Sequence, residues 1–311
     1  MPSDSKSGGV SIVTVDTNRD GQRIDNFLSA QLKGVPRSLV YRIIRTGQVR
    51  INGKRCKPAT RICEGDQVRI PPAKTREDGT VDISQKVRDL IKSRILYEDT
   101  DLLVVNKPAG MAVHGGSGLP WGLIDVLRQE RPGEFIELVH RLDRETSGCL
   151  VLALNGSALQ NVSTQFRDGK VDKRYLCLLG GHLPQDLLDV RAPLARVQAG
   201  QRRLVEVSPE GKSAHTRFRL LQAYAECSYA EAELLTGRTH QIRAHAQHLG
   251  MPLAGDDKYA SRESVREWRK RGLKSLFLHC HRLVFENSRG ERQEFNAPLP
   301  DGLRAVLDSL E

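Results

Sequence analysis

Apolar residues in this chain recur with two periods, and the period changes along its length. Over residues 23–28, Ile24, Phe27 and Leu28 share one helical face. After Pro36, a second helix is predicted with Leu39, Val40, Ile43 and Ile44 as its buried stripe. Arg37, Tyr41, Arg42 and Arg45 are left for the exposed side, and Thr46-Gly47 ends that helix. Val49 and Ile51, the turn Asn52-Gly53, and then Val68 and Ile70 read as short strands around a hairpin. Residues 73–94 lose the pattern. They are polar and contain Asp78-Gly79, and a linker is predicted there with a short helix near residues 87–91. From Ile95 onward, strands are predicted at 95–106 (a hairpin), 149–154, 171–179, 214–221 and 229–235, with helices at 121–131, 155–166 and 239–249. Adjacent strands are often joined without a crossover helix, so the expected class is α+β: a mixed, largely antiparallel sheet preceded by a small α/β module.

At 311 residues the chain is long for one core, and two domains are expected. The boundaries that follow are a disordered tail at 1–16, a small domain at 17–72, the linker at 73–94 and a larger domain at 95–311. No apolar run approaches the roughly 18 residues that span a bilayer, and the polar start lacks a signal-peptide core. A cytoplasmic, monomeric protein without a membrane partner is expected. The six cysteines show no C-x-x-C spacing and read as reduced, mostly buried thiols.

Charge changes the picture more than composition does. Residues 1–94 carry 19 lysines and arginines against 10 acids, whereas residues 95–311 carry 29 against 28. Between Asn26 and Cys63 there are nine basic residues, among them Arg37, Arg42, Arg45 and Arg50, and no acidic one. A helix presenting arginines beside a small sheet suits phosphate, which points to nucleic acid. Those four arginines are the candidate RNA contacts. The module resembles the small S-four-like RNA-binding domain named from a ribosomal protein.

Candidate chemistry lies in the larger domain. His140-Arg141-Leu142-Asp143-Arg144-Glu145-Thr146-Ser147-Gly148 brings a carboxylate, flanked by guanidinium groups, to a strand edge, and period-two alternation turns Arg141 and Asp143 to one side. Asn106-Lys107-Pro108-Ala109-Gly110 marks backbone that passes close to something. Lys173-Arg174-Tyr175 places an aromatic face beside cations, suited to stacking on a base. Thr236-Gly237-Arg238-Thr239-His240-Gln241-Ile242-Arg243 is a strand-to-helix turn with Arg238 at the helix entrance, where it can reach a carboxylate of another loop. No glycine-rich phosphate loop follows a strand, so a nucleotide cofactor is unsupported. The histidines 240, 245 and 248 lack the spacing of a zinc site, and a structural or RNA-facing role is expected for them.

Together these four motifs resemble those of the RluA-type pseudouridine synthases. The resemblance implies isomerisation of uridine in RNA without metal or other cofactor, with Asp143 as the essential carboxylate, Arg238 as its charge partner and Tyr175 stacked on the uracil. It also implies that the nucleotide is flipped out, with Arg141 filling the gap. Arg243 is the weaker candidate, for a backbone phosphate. The basic module in front favours large-subunit ribosomal RNA as the partner, with transfer RNA as the rival. Two other classes are weighed against an RNA isomerase. One is a non-catalytic RNA-binding assembly factor, which the basic module alone would support. The other is a different Asp143-dependent enzyme.

Overall fold

The structure is a computed structural model that describes residues 9–32, 35, 37–72, 82–115, 119–199 and 202–310, with the backbone alone for Arg37, Ala199, Arg202 and Arg203. It divides into two compact units, Met1–Ile83 and Ser84–Glu311.

In the first unit β1 (Ser11–Thr14), α1 (Ile24–Gln31), α2 (Arg37–Arg45), β2 (Arg50–Ile51), β3 (Lys54–Arg55) and β4 (Gln67–Ile70) form a four-stranded sheet, ordered β1-β4-β2-β3, with two helices. Asn52 and Gly53 both take positive φ, at 49° and 76°, as a tight hairpin between β2 and β3 requires. Ile24, Phe27 and Leu28 of α1 meet Val40, Ile43 and Ile44 of α2 in one apolar core with Val49, Ile62 and Val68. Phe27 is 1% exposed, and truncating it to Ala costs about 3–5 kcal/mol by the usual transfer and cavity terms. Two sequence expectations are corrected here. Residues 11–14 are not a disordered tail: β1 pairs antiparallel with β4, because its backbone groups complete that strand's free edge. Tyr41 is not simply exposed, since its hydroxyl donates to the buried carboxylate of Asp25 at 2.8 Å.

The second unit starts with α3 (Gln85–Lys92), which packs on α4 (Leu123–Glu130) through Arg88 and Lys92, both paired with Glu130. The helix expected inside a linker is therefore part of this unit, and residues 73–81 of that linker lie outside the described residues. Its strands are β5 (Ile95–Glu98), β6 (Leu102–Lys107), β7 (Glu137–Leu138), β8 (Ser147–Ala153), β9 (Asp172–Leu179), β10 (Leu187–Arg191), β11 (Leu194–Ala199), β12 (Arg202–Val207), β13 (His215–Ala223), β14 (Ser228–Leu234), β15 (Leu278–Glu286) and β16 (Arg292–Asn296). The remaining helices are α5 (Gly156–Arg167), α6 (Gln241–His248), α7 (Arg262–Lys270) and α8 (Asp301–Asp308).

Ten of these strands form one sheet with the path β10-β13-β14-β9-β15-β8-β6-β5, flanked by β16 on β15 and β7 on β8; β11 and β12 are a separate hairpin. Among the described residues only β15 against β8 is parallel, so the sheet is mixed and largely antiparallel. Gly148 sits where that parallel pair is tightest. Its φ is +112°, and an added Cβ would come 2.2 Å from the Cys280 carbonyl oxygen, so only glycine lets the two backbones approach. β6 and β8 are buried along their whole length, as the continuous apolar runs Leu102–Val105 and Cys149–Ala153 require.

Candidate active site

β7 delivers the chain to a short loop, 139–146, that is pinned at both ends. At its start the His140 ring stacks on Phe166 of α5, with centroids 4.4 Å apart, and its Nε2 accepts the Val151 N–H at 3.1 Å. Leu142 turns inward and is 5% exposed, while Arg141 points out. Asp143 then opens a turn that the Thr146 N–H closes on the Asp143 carbonyl at 3.1 Å.

At the end of β6, the fully buried Lys107 holds this turn from beneath. Its Nζ donates to the carbonyls of Pro108, Met111 and Arg144 at 3.0, 2.8 and 3.0 Å, so all three ammonium protons are used. Burial pushes Lys107 down to about 7, with the charges of Glu145 and Asp143 pulling the other way. The close passage of backbone expected at residues 106–110 is thus a lysine gathering carbonyls under the aspartate loop.

Opposite lies the turn 236–240 and α6. Gln241 ties it down, taking the Arg238 N–H and the Thr236 hydroxyl on its Oε1 and donating to the His215 carbonyl and Thr216 Oγ1. His240 is held in the left-handed region, φ 53°. Arg243, one turn into the helix, is 2% exposed and makes two bonds to the buried carboxylate of Asp256, at 2.8 and 2.6 Å. Burial opposes its charge, but the bonds and field of Asp256, then of Asp143, outweigh burial and raise its pKa.

The Asp143 side chain is 27% exposed, and its Oδ2 faces two groups: His240 Nε2 at 3.7 Å and Arg243 Nη1 at 3.9 Å. Tyr175, on β9 and 7% exposed, completes the wall; burial first, then Cys280 and the charge of Asp143, hold its phenol well above the usual range, so it is neutral. The result is a cavity of ≈ 690 Å³ lined by Arg141, Asp143, Tyr175, Arg238, His240 and Arg243 together with apolar side chains such as Leu138 and Ile242. One negative charge among cations, an aromatic wall and an apolar remainder suit a flat, polar ring carried on a polyanion.

All five residues expected at the site line this one cavity, but two of them have surroundings other than those expected. Arg238 is exposed and donates its Nε–H to the Ser213 carbonyl at 3.0 Å; the guanidinium nearest Asp143 is that of Arg243. Arg243 in turn is too deeply buried and too fully engaged to meet a backbone phosphate. The cations beside Tyr175 already have partners within the protein, Lys173 the Val171 carbonyl and Arg174 the carboxylates of Asp172 and Glu231. Lys107 and His240, which lie inside the quoted motifs, border the site without having been expected in a catalytic role; Asp256 and Tyr259 lie outside those motifs, and the run Gly255-Asp256-Asp257-Lys258-Tyr259 is the available signal for them. His245 is buried between Thr216 Oγ1 and the Ala192 carbonyl, as a structural histidine. In the first unit Arg42, Arg45 and Arg50 are exposed on α2 and β2, while the side chain of Arg37 lies outside the described residues.

Residues 101–248 match the model of the RNA pseudouridylate synthase family, and residues 22–68 match the S4 domain. The chain belongs to the RluA-type RNA pseudouridine synthases and is an RNA-modifying isomerase. It is 46% identical over 315 residues to a protein of Escherichia coli K12 named ribosomal large subunit pseudouridine synthase C, covering 98% of each chain. To the Haemophilus influenzae protein of the same name it is 44% identical over 310 residues, covering 98% of this chain and 96% of that one. Among solved structures, human RNA pseudouridylate synthase domain containing 4 matches with a TM-score of 0.60 at 25% identity, over 72% of this chain and 95% of that one.

Proposed function

We propose that this enzyme converts specific uridines of large-subunit ribosomal RNA to pseudouridine. The observation that carries the target is the end-to-end match, S4 domain included, to proteins named for that RNA. The reaction breaks the bond from uracil N1 to the ribose, turns the ring and rejoins it through C5. One proton leaves C5 and one arrives at N1, so electrons and atoms balance within the nucleotide.

Asp143 is the essential carboxylate. Its Oδ2 faces Arg243 and His240, which leaves Oδ1 for the substrate. Arg243 holds the carboxylate in place, and Asp256 holds Arg243 in place. Tyr175, neutral and flat, stacks on the uracil. The reacting bond is inaccessible in a stacked, paired nucleotide, so the uridine enters flipped out, and exposed Arg141 at the cavity fills the gap. Arg42, Arg45 and Arg50 supply phosphate contacts from the S4 domain. The test is to map pseudouridine in ribosomal and transfer RNA from cells with and without the gene, and with Asp143→Asn in its place. Loss confined to large-subunit sites, unrestored by the variant, is expected. Loss confined to transfer RNA overturns the target, and restoration by Asp143→Asn overturns the site.

A further inference from the structure

His240 occupies a conformation that side chains other than glycine adopt at a cost of about 1–3 kcal/mol, and such strain persists only where surrounding contacts impose it. Here the contacts are specific. The Tyr259 ring stands edge-on to the imidazole, with centroids 5.6 Å apart at 87°, and Tyr259 Oη lies 2.9 Å from His240 Nδ1. The same oxygen accepts the Val205 N–H of β12 at 3.0 Å. Arg243 lies 5.1 Å above the Tyr259 ring, and the Tyr259 N–H bonds to Asp256, so the tyrosine is seated by the groups that hold Arg243.

This arrangement assigns the protons. Tyr259 Oη uses a lone pair for Val205, and the acceptor within reach of its own hydrogen is His240 Nδ1. With the Tyr259 hydrogen given to Nδ1, the imidazole proton goes to Nε2, the nitrogen that faces Asp143 Oδ2 at 3.7 Å. That gap is longer than a hydrogen bond, and catalytic hydrogen bonds are often long before substrate is bound.

We propose that His240 is a positioning residue for the catalytic carboxylate, and that the β11–β12 hairpin reaches the reaction through it, along the line Val205 N–H, Tyr259 Oη, His240 imidazole, Asp143 Oδ2. The inference rests on the reading of Asp143 as the essential carboxylate. Its consequence is that Oδ2 is occupied from two sides, by Nε2–H and by the Arg243 guanidinium, so the substrate meets only Oδ1. The hairpin packs on α6 through Leu194, Val205, Ala244 and Tyr259, so displacement of β12 displaces Tyr259 and then the imidazole. Neutral His240 fits this role: burial lowers its pKa, Asp143 raises it, and Arg243 and Lys258 lower it again, with Asp256 opposing.

The test uses the full-length enzyme with an RNA fragment carrying its target uridine. Tyr259→Phe keeps the ring beneath Arg243 and removes only the hydroxyl. His240→Asn keeps a side chain that tolerates the left-handed backbone. Expected are about 10-fold lower kcat for Tyr259→Phe and about 100-fold for His240→Asn, with KM within about twofold in each, and a double variant no slower than His240→Asn, since the two act as one unit. Wild-type kcat in folded Tyr259→Phe, or additive losses in the double variant, overturns the proposal. Nitrogen NMR of the unmodified enzyme labelled at histidine gives a reading that does not depend on folded variants: a proton on Nε2 is expected, and a proton on Nδ1 overturns the line. Asp143→Asn serves as the reference. If it retains turnover, the reading of Asp143 fails; if it is inactive while Tyr259→Phe and His240→Asn are normal, only the positioning line fails.

Discussion

Arg42 and Arg45 stand exposed on α2 of the first unit, whereas Arg243 of the second is 2% exposed and carries two bonds to Asp256. The guanidinium is the same and the work is different. An exposed arginine keeps its hydration and exchanges it for phosphate when RNA arrives, so it contributes affinity that salt weakens. A buried arginine has given up its hydration on folding, so its partners are set before any substrate appears, and it contributes geometry and charge that salt does not screen. The first kind of site is visible as a run of basic residues without acids. The second is visible only once the fold brings Asp256 to Arg243.

The sharpest way to break this comparison is to remove the buried cation. Arg243→Met leaves Asp256, which is fully buried, with only backbone N–H donors and no cationic partner, and leaves Asp143 without its nearest guanidinium. Losing one partner of a buried pair costs on the order of 3–5 kcal/mol. The same change at Arg42 stays within about 0.5 kcal/mol. Denaturant titration of the two variants measures the contrast, and equal stabilities would erase the distinction. Turnover by Arg243→Met is expected to be undetectable at saturating RNA.

A second contrast is in pH. His279 of the second unit is fully buried, with Ser147 Oγ at 2.9 Å from Nδ1 and the Ala297 carbonyl at 3.1 Å from Nε2, and burial pushes it down to about 4. It folds neutral, while the unfolded chain takes up a proton near 6.5. Stability therefore falls as pH drops through the window from about 6.5 to about 4, by about 1.4 kcal/mol per pH unit for this group. In the first unit, burial acts against Asp25, but bonds from Arg23 and Tyr41 prevail and lower its pKa; its contribution is present above the ordinary carboxylate range and is lost only below it. Urea titrations at pH 7, 6 and 5 are expected to show the second unit weakening first. His279→Gln removes this group's share of the slope, while His140, which burial pushes down to about 3, keeps its own; an unchanged slope in the variant would mean that His279 carries none of it.

The exposed arginines predict a smaller effect that only salt resolves. Arg42→Gln and Arg45→Gln in the full-length chain should each lower the slope of log affinity against log salt by about 0.7 on single-stranded segments, leaving kcat at saturating RNA unchanged. Identical slopes would make α2 a solvated face.

Legibility followed the range of the interactions. Local signals read well: the stripes of α1 and α2, the Asn52-Gly53 hairpin, the alternation in β9, β13 and β14, and the motif that carries Asp143. The β11–β12 hairpin and β1 were not read, since their apolar alternation is weak and their partners, Tyr259 and β4, are distant in sequence. The two arginines of one eight-residue motif were assigned each other's surroundings for a related reason. Local spacing puts Arg238 at the helix entrance, and nothing within the motif reveals that Asp256, 13 residues beyond Arg243, draws the second arginine inward.

That exchange of surroundings yields the last and smallest prediction, and it is the one that tests the comparison at its boundary, because Arg238 is an exposed arginine at the rim of the buried site. It lines the cavity yet spends its Nε–H on the Ser213 carbonyl, so in the free enzyme it belongs with Arg42 and not with Arg243. Arg238→Gln should change stability by less than about 0.5 kcal/mol, as surface changes do. An interaction made equally in bound substrate and transition state raises KM without lowering kcat, and that pattern is expected here, with a KM rise of about 3–10-fold. Steady-state kinetics at low and high salt separate the outcomes. A KM effect that fades at high salt marks a phosphate contact at the rim. A fall in kcat at saturating RNA, equal to that of Arg243→Met, would mean that Arg238 leaves Ser213 when the nucleotide enters and pairs with Asp143 after all.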